Sequence, residues 1–488
     1  MKINPFNSLT YLPTYLIPAF ALMSLSQAHA QISFDDGAVG DSNWSSPANW
    51  STDTLPTTGD TITIGSAYTV NFDVGSQNLP SNATLIVDGT LTTNILRANG
   101  ADITVSSTGL LTAPSNQFYD WNNATVTFQD GAQFTNATWE NKGTNTFNFE
   151  LGTTGFDTLA PSRFFVSGGA GAISNATYNA DLGGASYIGG SQTLTLIDYA
   201  SNNAGMNNTT FQTANLNIID TGTNAARLYW DDATDAVKLS INETVTWTGA
   251  GGNNLLTNAA NWDTPDGKAP IANDTLLINN GDTVAHANNL PGNTTINLVG
   301  SELTTDGPVI RLSDSTINVD AGSTLSGLFW DLDGASIVFE DGAQATMANW
   351  EQKDINSFTY QLGAYDFTTL TPDRFLIGNG SLTGAIGNAT YIADFSNFAN
   401  WSLSNLGSNS ITLMDFNIDG EGMDNAQFQS ASFDYINMGA NIENAAFAWD
   451  DSLEAIILTF NINAVPEPSS TALLGLGGLA LMLRRKRS

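Results

Sequence analysis

Cysteine is absent from the 488 residues, histidine occurs twice, and Lys and Arg together number only 14. Without Cys there is no disulfide framework, no thiolate zinc site, no iron–sulfur ligation and no thiol nucleophile. Against 47 Asp and Glu the few cations leave a formal charge of −33. That balance argues against a nucleic-acid partner, which needs a basic stripe to meet phosphates. Phosphate-cradling Gly-x-x-x-x-Gly-Lys loops, His-Glu-x-x-His and Gly-x-Ser-x-Gly are also missing, as is a dinucleotide fingerprint between a strand and a helix. Yet only 12% of the residues are charged and 41% are hydrophobic, too apolar for a disordered acidic polymer. Asn, Thr, Ser and 45 Gly make up the balance, a composition that favours turns and short strands over helices.

The two ends are built differently from the rest. Lys2 followed by the mostly apolar run Leu9 to Leu25 and then Ala28-His29-Ala30 predicts a signal peptide over 1–30, cleaved before Gln31. Pro13 and Pro18 interrupt the run, which weighs against a permanent first membrane helix. Cleavage leaves His286 as the single histidine, with no partner for His-based metal or triad chemistry. At the far end, Val465-Pro466-Glu467-Pro468 precedes an apolar run from Ala472 to Leu483 and the cluster Arg484-Arg485-Lys486-Arg487. Twelve apolar residues, or 19 counted from Val465, make a marginal span where a stable one needs about 20. The basic end predicts a cytoplasmic terminus. Such a tail suits transient membrane insertion followed by cleavage.

This tail, residues 465–488, resembles the PEP-CTERM sorting signal of Gram-negative bacteria: a Pro-Glu-Pro motif, a short hydrophobic helix and an Arg-rich end, in that order. The resemblance implies processing by an exosortase, export, and delivery to the cell surface or extracellular matrix, often beside exopolysaccharide. It implies nothing about the fold of the exported part.

Between the ends the chain is written twice. Ala48-Asn49-Trp50 recurs as Ala260-Asn261-Trp262, Trp139-Glu140 as Trp350-Glu351, and Trp230-Asp231-Asp232 as Trp449-Asp450-Asp451. Val126-Thr-Phe128-Gln-Asp130-Gly131 recurs as Ile337-Val-Phe339-Glu-Asp341-Gly342, and the offset drifts only from 211 to 219. We therefore divide the exported chain into two homologous modules, 31–243 and 244–464. Inside each, an apolar-x-apolar strand and a Gly turn recur at about 20 residues, as at Ile296, Ile317 and Ile337. That period predicts an all-β, β-solenoid (β-helix-like) module in which each rung buries its inward residues on the next. A β-sandwich of antiparallel strands is the rival. The opening Trp motif, the Gly-punctuated rungs and a later Thr193-Leu-Thr-Leu-Ile-Asp198 strand resemble the β-helix repeats of autotransporter-like surface proteins.

Chemistry is harder to find. Glu140 and Glu351, and Asp231-Asp232 and Asp450-Asp451, are the distinctive acids because each follows a Trp in both copies. A glycosidase needs two carboxyls set ~5–10 Å apart in space. Duplicated Trp-acid pairs read more simply as core aromatics with acids solvating the adjacent turns. Asp331-Leu-Asp333-Gly334 and Asn417-Ile-Asp419-Gly420-Glu421 look like partial calcium loops, but position 12 falls on Gly342 and Phe428. No catalytic residue, metal ligand or cofactor is assigned. Nor does the linear sequence display a sustained Thr-x-Thr array in register, the pattern that would suit ice binding. Removing both ends leaves nine cations and 46 acids, a formal −37. The expectation is a non-enzymatic structural or adhesive surface protein in or beside extracellular polysaccharide. The alternatives are a polysaccharide-active enzyme on a β-helix, or an ice- or carbohydrate-binding protein.

Overall fold

The computed structural model describes residues 29–463 apart from stretches at 39, 76–77, 114–116, 136–137, 142, 154, 162, 167–173, 184–189, 201–205, 353–355, 364–366, 373, 378–386, 399–405, 417 and 420–422. Its regular elements are nearly all strands, and the large sheets are parallel throughout. Parallel, in-register pairing between successive rungs is the solenoid geometry and rules out the sandwich.

In the first solenoid an eight-stranded sheet runs through Gln31–Ser33, Thr61–Ile64, Thr84–Val87, Asp102–Val105, Thr125–Gln129, Thr146–Glu150, Thr177–Asp181 and Asn215–Ile219. Two four-stranded parallel sheets close the coil, one built on Thr69–Phe72 and the other on Ile95–Asn99. The strands form because β-branched residues alternate, as in Thr61-Ile62-Thr63-Ile64, where Ile62 and Ile64 are wholly buried. Register then stacks inward residues into columns: Ile62, Leu85, Ile103, Val126, Phe147 and Tyr178 follow one another up the coil. Phe128 lies nearly parallel to Phe149, with centroids 6.2 Å apart. Each such side chain contributes about 1.5–3 kcal/mol by leaving water.

The repeated Asp-Gly turn has a steric cause. Gly131 and Gly342 both sit at φ +93°, and a Cβ at Gly131 would meet the Ser107 carbonyl oxygen at 2.4 Å.

The second solenoid repeats the plan. Its eight-stranded sheet runs from Thr244–Thr246 to Ser432–Ile436, but the other two faces merge into one six-stranded sheet of long strands such as Glu302–Ser313. The buried side chains form two clusters, one spanning Ile32 to Ile241 and the other Val245 to Ile462.

Each solenoid ends in a three-stranded antiparallel sheet: Gln192–Asp198, Ala236–Ile241 and Ala226–Asp231 in the first, Gly407–Asp415, Ala455–Ile462 and Ile442–Asp450 in the second. The Thr193–Ile197 stretch therefore belongs to a cap, whereas Phe147 to Glu150 continues the coil. A one-turn helix, Asn208–Phe211 or Asn425–Phe428, plugs the coil beneath each cap, and Phe211 and Phe428 are fully buried. Both helices are fastened alike: Asn208 and Asn425 accept from the backbone N–H of Trp230 and Trp449, at 3.1 and 2.9 Å.

Each solenoid also opens alike. Asn49 and Asn261 are wholly buried. Asn49 Nδ2 donates to the carbonyl of Asn43 at 3.0 Å, and Asn261 Nδ2 to that of Leu255 at 3.0 Å. The neighbouring indoles of Trp50 and Trp262 donate to Trp44 and Leu256 carbonyls at 2.9 and 2.8 Å. The Asn-Trp motif is thus a lock for the opening loop.

Candidate functional site

The outer face of the eight-stranded sheets is the most regular surface on the molecule. In the first solenoid one column runs Thr61, Thr84, Asp102, Thr125, Thr146, Thr177, and beside it runs Thr63, Ile86, Thr104, Thr127, Asn148, Asn179, Asn217. Neighbouring groups stand about 4.8 Å apart from coil to coil and roughly 6.7 Å apart along a strand. The side chains bond up the stack: Asn148 Nδ2 donates to Thr127 Oγ1 at 3.0 Å, Asn179 to Asn148 at 2.7 Å and Asn217 to Asn179 at 2.9 Å. In the second solenoid one column runs Thr244, Thr275, Thr295, Thr316, Ser336, Ser357, Thr390, Ser432, and Asn318 donates to Asn297 at 2.7 Å. No Lys or Arg stands in these columns.

The pairing brings no sustained Thr-x-Thr array into register, since that triplet occurs in these columns only at Thr61–Thr63, Thr125–Thr127 and Thr244–Thr246; what lines up in the first solenoid is a mixed Thr and Asn face broken by Ile86 and Asp102. Its strands are 18 to 38 residues apart in the chain, because the turns differ in length, so only the pairing aligns them.

Four of the distinctive acids, Asp231, Asp232, Asp450 and Asp451, brace the caps. Asp231 accepts from the Ala233 N–H at 2.9 Å and from Thr234 Oγ1 at 2.8 Å, and it pairs with Lys238. The Lys238 ammonium, with those donors, holds the Asp231 carboxyl down at about 2. Asp450 accepts from the Ser452 hydroxyl at 2.6 Å and its N–H at 2.9 Å, which lowers its pKa in the same direction. Asp232 and Asp451 accept from the first N–H of the plug helix, from Asn208 at 3.0 Å and Asn425 at 3.1 Å. All four therefore close a turn or cap a helix. Glu140 and Glu351 fall on strands Thr138–Asn141 and Gln344–Gln352, at register with Phe165 and Leu376.

Other titratable groups are scattered. Glu340, on the outer face of the second solenoid, hydrogen-bonds Asp320, and that neighbour together with partial burial raises its pKa. His286 is 3% exposed, and burial lowers its pKa despite the 3.1 Å contact of Nε2 with the Asn289 carbonyl. Of the partial calcium loops, Asn417, Gly420 and Glu421 lie outside the described residues. Among the described residues no three His, Cys, Asp or Glu side chains come together as metal ligands would.

Sequence reasoning passed over Asn49, Asn261 and Arg227. The first two were visible as the residue before a repeated Trp. Arg227 carried no repeat, since Ala446 stands at the matching place.

Of the targeting residues, Ala28 and everything from 464 onward, including Val465, Pro466, Glu467, Pro468, Arg484, Arg485, Lys486 and Arg487, lie outside the described residues. The transmembrane segment expected there does too, and among the described residues no helix is long and apolar enough to cross a membrane. Ala30 and Gln31 are described. The ladder's first strand starts at Gln31, and Ala30 donates its N–H to Asp60 Oδ1 at 3.1 Å. The described chain ends at Asn463, whose N–H donates to the Asn441 carbonyl at 2.7 Å. From there, residues 464–487 match the PEP-CTERM protein-sorting motif. The chain carries an exosortase sorting signal. A PEP-CTERM signal implies processing by an exosortase and an exported, surface-associated protein. No curated protein and no solved structure matches the chain.

Proposed function

We propose that the protein is a non-catalytic structural and adhesive element of the surface or matrix of a Gram-negative bacterium, and that it holds extended, neutral polysaccharide. Its tail inserts transiently into the membrane before exosortase cleavage. The observation that carries the reading is the ladder face: columns rich in Thr, Ser and Asn at fixed spacing, interrupted by Ile86 and Asp102 in the first solenoid and by Leu277, Val338 and Ile392 in the second, without a cation. Extended glycans present hydroxyls at regular intervals along their length, and a face dominated by hydroxyl and amide groups meets them with Asp102 as the one charge in the first solenoid's columns. A formal −37 disfavours polyanionic chains by long-range repulsion. The bracing role of Asp231, Asp232, Asp450 and Asp451 also supports a non-catalytic reading.

The test is co-sedimentation of the processed protein with insoluble neutral and acidic polysaccharides. Thr104→Glu with Thr125→Glu, in the middle of the first ladder, should abolish retention on a neutral glycan, while Thr92→Glu on another face should not. Retention unaffected by the ladder pair, release of reducing ends, or thermal hysteresis without glycan retention would each overturn this function.

A further inference from the structure

The cap of the first solenoid meets the opening loop of the second across a buried ion cluster. Arg227, on Ala226–Asp231, is 5% exposed, and the two acids it meets, Asp266 and Asp274, are 8% and 1% exposed. Its Nη1 donates to Asp266 Oδ1 and Oδ2 at 3.0 and 3.1 Å, and its Nη2 to Asp274 Oδ2 at 2.5 Å. Alongside, Asn208 Nδ2 donates to the Pro265 carbonyl at 2.8 Å and Asn273 Nδ2 to the Asn224 carbonyl at 3.4 Å. In each contact one partner belongs to the first solenoid and the other to the second.

We propose that Arg227 is the key of a specific joint: it fixes the two solenoids in one orientation, so that they act as one rod. Its absence from the far end stops a second copy from continuing the stack. A guanidinium suits this role because its planar fork reaches two carboxylates at once, Nη1 on both oxygens of Asp266 and Nη2 on Asp274. Desolvation raises the pKa of Asp274, so this acid depends on its cation to stay ionised where it is.

The two free ends do not rebuild the joint. Ala446 stands where Arg227 does, with Thr459 opposite it as Ser240 is opposite Arg227. The opening loop of the first solenoid, Thr52 to Asp60, is two residues shorter than Thr264 to Asp274. It keeps the Asp274 equivalent, since Thr57 N–H bonds Asp60 Oδ2 at 2.7 Å as Ile271 N–H bonds Asp274 Oδ2 at 2.7 Å. The Ala30 N–H that meets the other oxygen of Asp60 leaves with the signal peptide, so in the processed chain Thr57 holds this acid. A second copy would therefore bring one acid to an end that offers no cation.

The absence of native Cys makes distance measurement direct. Spin labels at Ser107→Cys and Ala321→Cys, one on each solenoid of the processed chain, should give a single narrow distance distribution. Arg227→Met alone strands two buried acids and risks misfolding. The decisive variant is therefore Arg227→Met with Asp266→Asn and Asp274→Asn. It should keep the β-type circular dichroism of the parent while the distribution becomes roughly twice as wide, as for domains free to move. Arg227→Lys, which lacks the fork, should fall between. A distribution as narrow in the triple variant as in the parent would overturn the key. Filaments of the unmodified chain in sedimentation at high concentration would overturn the claim about the far end.

Discussion

The two solenoids share a plan and differ where each meets something outside itself. At one core position the first holds Phe72, whose ring meets Trp44 at 4.9 Å, and the second holds His286 beside Leu256. At the caps the first presents Arg227 and the second Ala446. The eight-stranded sheets, plug helices and opening locks are duplicated, whereas the joint appears once. Duplication preserves what each unit needs in order to fold and lets drift whatever concerns its neighbours.

The largest expected effect breaks that symmetry at the shared lock. Trp50→Ala and Trp262→Ala should each cost about 3–5 kcal/mol. Amide exchange read by mass spectrometry should show the loss of protection confined to the solenoid that carries the change. Loss spreading equally through both would show a single cooperative core. The lock's Asn should come next. Asn49→Ala or Asn261→Ala strands buried backbone groups and should cost about 1–3 kcal/mol, again within one solenoid.

The comparison sharpens with pH. Burial depresses the pKa of His286, so the unfolded chain takes up the proton first. The second solenoid should keep its full stability above the ordinary value of 6.5 and lose it as pH falls from there through the depressed folded value. The first, with Phe72, should stay flat over the same window, and His286→Phe should remove the difference. A second solenoid whose exchange is unchanged between pH 7.5 and 5.5 would refute this.

The smallest effects belong to the cap acids. Asp231→Asn should cost about 1 kcal/mol, since its pair with Lys238 is part-buried at the edge of the cap and the Asn keeps an oxygen for the Ala233 N–H. Asp450→Asn should be milder still, and neither should alter any glycan turnover. The contribution of Asp231 is present above the ordinary 3.8 and lost as pH falls toward about 2. Acid titration followed by circular dichroism, with and without the substitution, measures it.

How much of this was legible beforehand follows from which information is local. Ile296, Ile317 and Ile337 carry a period of about 20 residues, so the rungs could be read directly. The sorting tail was legible because a peptidase reads it as a linear string. The ladders were hidden because Thr84 and Asp102, or Thr177 and Asn215, are aligned by pairing across turns of unequal length. Arg227 was hidden because a joint between repeats has, by construction, no second copy to betray it.

The caps have a mechanical consequence. In each antiparallel cap the last strand of the chain, Ala236–Ile241 or Ala455–Ile462, lies in the middle, bonded on both flanks. The first leads through Asn242 and Glu243 into Thr244–Thr246, and the second ends beside Asn463, from which the tail departs. A pull on the tail therefore loads two rows of hydrogen bonds in shear, all sharing the strain at once, and cannot peel a strand from an edge. Were the tail to hold the protein to the cell while the ladders hold a glycan, tension would enter each unit through its best-fastened strand.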